Sequence, residues 1–258
     1  MTAHNAIPIY ICSKGRASKP KTADLLAAAS LPFVVVVEPQ DYDEYEAFRP
    51  EYRYQVMDTN DGGYVHVCNY IHAAAIAAVA VDGAPPWFWM LDDDIDAFYT
   101  AGDGKCTKCD AATAIRGAEE YFVENDSIAQ ASLEFQQYAW SATKSWVLNT
   151  ACRAAVCTHA PRTRRLHRRP EVDLKADTDF SLQVLASGYH TARITRYAFG
   201  TGKYGRSVGG NDFAYAAPQA EERCVEALCR LWPGIVAPVT KKDGRIDAKV
   251  NWAAVAPR

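Results

Sequence analysis

The sequence predicts an α/β fold: a mostly parallel central sheet flanked by helices. Three observations point there. Strand-like and helix-like segments alternate through the first 110 residues, the order of βαβ units. Residues 34–37 are four consecutive valines, the composition of a strand covered on both faces. An apolar run, WFWML at 87–91, then stops abruptly at three aspartates, as strands do when they deliver polar groups to a sheet edge.

Taken in order, IPIYICSKGR (7–16) is a β-branched strand ending at a polar, glycine-containing turn. ASKPKTADLLAAAS (17–30) is a helix with Leu25, Leu26 and Ala29 on its apolar face. LPFVVVVEPQ (31–40) is the second strand, and VHVCNYIHAAAIAAVAV (65–81) an alanine-rich helix opening after Gly62 and Gly63. PPWFWMLDDDIDAFY (85–99) returns to strand. Residues 112–125 read as helix, and 127–140 and 145–159 as strands or mixed pieces. Residues 177–188 form a helix ending at Gly188, ITRYAFGT (194–201) a strand, and 219–232 an amphipathic helix stopped by Pro233 and Gly234. Neither a repeat nor a low-complexity linker interrupts the 258 residues, so one domain is expected, with 7–110 and 111–258 as its halves.

Composition narrows the function classes. The chain is 49% hydrophobic and 23% charged with a net charge of -3, which excludes a disordered chain and a histone-like basic protein. No window reads as a membrane span, and MTAHNAIPIYICSKGR lacks the parts of a signal peptide, so a cytoplasmic protein with no membrane partner is expected. The eight cysteines fit a reducing compartment. Cys106 and Cys109 form a CxxC that reads either as half of a Zn²⁺ site or as a reduced surface hairpin.

Asp92, Asp93 and Asp94 carry the strongest chemical signal. Clustered carboxylates behind an apolar strand repel one another unless a cation is present. Strand alternation places Asp92 and Asp94 on one face and Asp93 on the other. Two hard oxygen ligands suit Mn²⁺ or Mg²⁺, with positions left for water and phosphate. A solvated acidic turn is the plainer alternative.

These residues, with IPIYICSKGR, VVVVEPQDYDEY, DGGYVHVCNY, DTDFSLQVLASG and GRSVGGN in this order, resemble the TET/JBP-associated glycosyltransferases. These are mostly phage enzymes with a GT-A-like nucleotide-diphospho-sugar transferase fold. The resemblance spans about residues 7–215 and implies a DxD metal site at Asp92 and Asp94, with Asp92 and Asp93 also at the donor. It implies a UDP-sugar donor, glucose foremost, and an acceptor hydroxymethyl group on 5-hydroxymethylcytosine or 5-hydroxymethyluracil in DNA. A phage enzyme would act in the host cytoplasm. The oligomeric state is left open.

By position, the resemblance puts Ser13, Lys14 and Arg16 beside the nucleotide. Glu38 falls on uracil or ribose unless it caps a helix, and Gly63 and Asn69 fall along the donor. The family pattern has arginine immediately before that asparagine. Cys68 stands there instead, leaving Lys14 or Arg16 to meet the phosphates.

Asp177 and Asp179 open a helix, where carboxylates also serve as caps. An inverting transferase needs a carboxylate to take the acceptor's proton. GT-A enzymes often keep that base in a Glu-Asp motif, which the resemblance matches to Ala176-Asp177 with the first acid missing, so Asp177 is the expected base and Asp179 the alternative on the metal or acceptor. A retaining enzyme would need no such base.

Arg162, Arg164, Arg165, Arg168 and Arg169 crowd into APRTRRLHRRPEV (160–172), a candidate DNA-phosphate contact or a solvated charged face. Trp140, Tyr197, Phe199 and Tyr204 are candidates to stack on an extruded base or to fill core. Two rivals stay open: a transferase acting on a protein or polysaccharide hydroxyl, and a catalytically silent binding module on the same fold.

Overall fold

A computed structural model describes residues 6–202, 214, 215, 217 and 219–257. Tyr204 and most of the GTGKYGRSVGGN stretch therefore lie outside the described residues.

The first strands are β1 (Ile9–Cys12), β2 (Val34–Val37) and β3 (Tyr54–Val56), interleaved with helices α1 (Lys21–Ala28) and α2 (Tyr42–Phe48). Helix α3 (Gly63–Asp82) leads to β4 (Trp87–Asp92), then β5 (Ile95–Gly102), β6 (Lys105–Cys109) and α4 (Ala111–Glu119). β7 (Ile128–Phe135), α5 (Gln136–Ala139), β8 (Val147–Leu148), β9 (Ala155–His159) and α6 (Ala160–Thr163) follow. A 3₁₀ turn at Pro170–Lys175 precedes α7 (Ala176–Ala186) and β10 (His190–Thr201). Helix α8 (Ala220–Leu231) and the hairpin β11 (Val236–Thr240) and β12 (Ile246–Val250) come last.

The main sheet runs β3-β2-β1-β4-β9-β7-β10-β5-β6, with β8 beside β10. It is mixed, which corrects the mostly parallel expectation. β1, β2, β3 and β4 pair in parallel, and so do β7 and β10, but β9 runs antiparallel between β4 and β7. β5 and β6 run antiparallel beyond β10. Connection length accounts for the β5–β6 pair. Parallel neighbours need a crossover of a dozen residues or more, whereas β5 turns into β6 over Asp103-Gly104, both at positive φ, as a two-residue hairpin requires.

The valine run behaves as its composition predicts. Val35 and Val37 join the large apolar cluster under α1 and α4, while Val36 joins the cluster under α3. β4 alternates likewise: Trp87, Trp89 and Leu91 face one layer, Phe88 and Met90 the other. A third cluster joins Val172 and Leu182 to Ala227 and Leu228 of α8 and Val236 of the hairpin.

Contrary to expectation, among the described residues one helix is long and apolar enough, by length and composition alone, to cross a membrane: α3. Its Cys68, Ile71, His72 and Ala75 are buried against the sheet.

Candidate active site

Parallel register brings the site together. Cys12 pairs with Val36 on one side and Asp92 on the other, so β1, β2 and β4 end at one edge. The residues after those ends line a cleft of about 990 Å³, large enough for a nucleotide-sugar.

Ser13 donates to Asp93 Oδ2 at 2.6 Å and lies 2.6 Å from the Tyr45 hydroxyl, which accepts from the Arg16 amide at 3.0 Å. The Arg16 guanidinium pairs with the other Asp93 oxygen. Burial pushes the Asp93 carboxyl up, and Arg16 and Ser13 hold it back. Asp93 therefore braces the β1 loop at the cleft. Asp93-Asp94 form a turn rather than a continuing strand, so strand alternation does not apply past Asp92, and all three aspartates line the same cleft. Thr22 of α1, which sequence reasoning missed, clamps that turn: its hydroxyl donates to the Asp92 carbonyl at 2.6 Å and accepts from the Ile95 amide at 3.0 Å.

Glu38 is buried and accepts from Lys14 Nζ at 2.6 Å and Gln40 Nε2 at 2.7 Å. It caps no helix, since the residue preceding α2 is Asp41. Lys14 also reaches Asp61 at 2.6 Å, so two carboxylates hold it at the cleft wall. Gly63 lines the cleft with φ +75°, a conformation that favours glycine.

Asn69 departs from expectation. Its amide donates to the Arg168 carbonyl at 2.9 Å and accepts from the Arg168 N–H at 2.8 Å. Both its polar groups thus pair with buried backbone, which demands partners, and it is not among the residues lining the cleft. That clamp seats Arg168, 2% exposed, with its guanidinium 4.5 Å over the Phe180 ring. Its charge acts on Cys68, Tyr64 and Asp177, so a cation reaches the neighbourhood of Cys68 from a distant part of the chain.

Asp92, Asp94 and Asp177 all line the cleft. Burial, then Asp94 and Asp177, push the Asp92 carboxyl well above the usual range. This excess of negative charge fits a divalent cation, which would relieve it. Among the described residues no three His, Cys, Asp or Glu side chains form a metal cage. Asp92 and Asp94 would thus supply two ligands, leaving positions for water and phosphate, a mode usual for Mg²⁺.

Asp177, in the first turn of α7, takes no capping bond; the Tyr64 hydroxyl donates to it at 3.2 Å, and Arg168 Nε lies 3.7 Å away. Burial and Asp177 push the Tyr64 phenol well up, so it stays a donor.

Asp179 is a correction. It is 0% exposed and faces away from the cleft, accepting from Arg169 Nε at 2.9 Å, Gln183 Nε2 at 2.7 Å and Trp232 Nε1 at 2.7 Å. The i, i+2 spacing that pairs two residues on a strand sends them to different sides of a helix.

The arginine segment is likewise no single exposed patch. Arg168 is buried, Arg169 holds Asp179, and Arg162 pairs with Asp126 at 2.6 Å while donating to the Ile128 carbonyl at 2.7 Å. Arg164 and Arg165 are exposed. Of the aromatic candidates, Phe199 is core, Tyr197 packs so closely that a Cβ on Gly117 would lie 2.2 Å from its hydroxyl, and Trp140 is exposed. Cys106 and Cys109 pack into different apolar clusters, so they do not converge on a zinc ion; they lie on the β5–β6 hairpin.

A cleft at the carboxyl edge of an α/β sheet, with an acidic pair at a strand end, is where such folds bind ligands. A family model described as TET-Associated Glycosyltransferase matches residues 7–210. The chain belongs to that family, and membership makes it an enzyme of the glycosyltransferase class.

Two solved structures show distant likeness. One is a glycosyltransferase involved in glycosylation of the major capsid of PBCV-1, at 8% identity and TM-score 0.29, covering 62% of this chain and 63% of that one. The chain thus spans less than two thirds of that structure's length. The other is mannose-6-phosphate isomerase from Helicobacter pylori, at 10% identity and TM-score 0.34, covering 73% and 86%. No curated protein matches.

Proposed function

We propose that this enzyme transfers a hexose, glucose foremost, from a UDP-sugar to the hydroxymethyl group of 5-hydroxymethylcytosine or 5-hydroxymethyluracil in DNA, with Mn²⁺ or Mg²⁺. The observation that carries this reading is one cleft lined both by the charge-stressed Asp92–Asp94 pair and by Asp177. Family membership supports the reaction class.

In this reading Glu38 and Lys14 border the nucleoside, and Ser13 and Arg16 shape the loop beside it. Asp92 and Asp94 would hold the cation, which supplies charge stabilisation to the departing diphosphate. Asp177, oriented by Tyr64, takes the acceptor hydroxyl's proton at a carboxylate oxygen as that hydroxyl attacks the anomeric carbon. The exposed Arg164 and Arg165 are the members of the basic segment left for DNA phosphate.

The test is mass spectrometry of nucleosides from DNA containing either base, after incubation with protein, UDP-glucose and Mn²⁺. A gain of one hexose on the modified nucleoside is expected. No gain with either base and a panel of UDP-sugars overturns the acceptor assignment.

A further inference from the structure

The cleft that Asp177 lines is also lined by Ser132 and Glu134 of β7 and by Arg153 and Arg193. Strand β7 carries Gln130, Ser132 and Glu134 at alternate positions, so three polar side chains share one face of a strand buried along nearly its whole length. Buried polar groups destabilise a fold unless they are satisfied. Gln130 accepts from Ser181 at 2.9 Å. Ser132 Oγ, facing the cleft, has no hydrogen-bond partner apart from the neighbouring Cys152 thiol.

Glu134 is 3% exposed yet also lines the cleft. Its Oε1 accepts the Phe135 amide at 2.9 Å. Its Oε2 lies 2.9 Å from Arg193 Nε, without the alignment of a hydrogen bond. Arg153, exposed at the cleft wall, adds a second positive charge on Glu134 and donates to Thr178 at 3.2 Å. Thr178 directly follows Asp177, so this group adjoins the proposed base. Tyr138, 59% exposed, forms the aromatic rim.

A carboxylate flanked by guanidiniums presents an acceptor beside donors. Cytosine presents the complement: the C4 amine donates, and N3 and O2 accept. Glutamate accepting from that amine is a standard base contact. Uracil places a carbonyl oxygen at C4, which would face the carboxylate's lone pairs. The hydroxymethyl group sits on C5, next to this edge, and a base turned out of the stack can lie against an aromatic side chain.

We propose that Glu134, with Arg153 and Arg193, reads the amine–imine edge of an extruded cytosine, making 5-hydroxymethylcytosine the preferred acceptor over 5-hydroxymethyluracil. This inference rests on the function proposed above and adds the acceptor's identity to it.

The test compares matched single-stranded oligonucleotides carrying one or the other base, with UDP-glucose and Mn²⁺. The wild type should favour the cytosine acceptor by about tenfold or more in kcat/KM, the discrimination of one good base contact. Glu134→Gln should collapse that ratio to within about threefold, mainly through KM for the cytosine acceptor. UDP-induced thermal shift checks that the variant folds. Arg153→Met alters an exposed side chain and should narrow the ratio as well, so the inference stays testable if Glu134→Gln unfolds. An active wild type that favours uracil, or a ratio that neither folded variant moves, overturns this inference alone. A wild type inactive on both bases overturns it together with the proposed function.

Discussion

The Tyr64 hydroxyl lies 3.2 Å from one Asp177 oxygen and 3.3 Å from the other, so a residue of the first turn of α3 orients a carboxylate 113 positions later. The contact ties the helix that opens beside the donor loops to the helix that carries the proposed base. Asp177→Asn should lower kcat about 10²- to 10⁴-fold, the usual worth of a general base. Tyr64→Phe should cost roughly tenfold, one hydrogen bond to a charged group. Steady-state UDP release with saturating acceptor measures both. An Asp177→Asn enzyme within threefold of wild type would make Asp177 a positioning residue, as a retaining mechanism allows.

Asp92 should trade stability for function. Its raised carboxyl means that the folded chain holds a proton that the unfolded chain releases near pH 4. The native state therefore binds more protons above that pH, and stability falls as pH rises. Asp92→Asn should raise Tm at pH 7 in cation-free buffer by a few degrees, about 1 kcal/mol or more. It should also abolish the Tm increase on adding Mn²⁺ and eliminate transfer. Thermal melts with and without Mn²⁺ decide this. A variant that melts lower than wild type without cation, or keeps the Mn²⁺ response, contradicts the assignment.

Asp179 should behave as a structural residue. Its carboxylate, fully buried itself, joins Gln183, Trp232 and the half-buried Arg169, so removing it leaves that guanidinium and two further donors without their partner. Breaking one side of a buried pair costs about 3–5 kcal/mol. Asp179→Ala should lose that much in urea denaturation, while kcat per folded molecule stays within about twofold. A large kcat loss in a stably folded variant would return Asp179 to the chemistry.

How much of this was legible in the sequence depends on how local each signal is. The valine run, the acidic strand end and the glycine start of α3 are set by neighbouring residues, and the structure shows each where the pattern puts it. The sheet's mixed direction was not legible, because β9 joins β4 only through contacts across some 65 residues. Side-chain partners were the least legible. Nothing within LKADTDFSLQ distinguishes Asp177, facing the cleft, from Asp179, facing Trp232, except the helical turn between them. The arginine segment looked like one patch because sequence records charge density, whereas burial splits it among Asp179, Asp126 and the Phe180 ring. Glu134 gave no signal at all: a lone glutamate in an apolar strand acquires meaning only when Arg193 and Arg153 arrive beside it.

His72 supplies a pH test independent of the reaction. It is buried on α3, stacked 5.7 Å from Phe88 and edge-on 5.6 Å from Phe180, with Nε2 2.8 Å from Thr163 Oγ1. The Thr163 hydroxyl donates to the His159 carbonyl at 3.0 Å, so it accepts from an Nε2–H. Burial, reinforced by the Arg168 charge, pushes the imidazole down to about 4. The unfolded ring takes up its proton near pH 6.5, before the folded one does, so stability falls as pH drops from about 6.5 toward 4. Integrated over that window, this one group removes about 3 kcal/mol. His72→Gln eliminates the titration, although it also removes the ring's packing. The stability difference between wild type and variant should therefore be largest at pH 7 and shrink by about 3 kcal/mol at pH 4, as read from urea midpoints across the range. A difference that stays constant with pH would show that His72 is not held neutral in the folded protein.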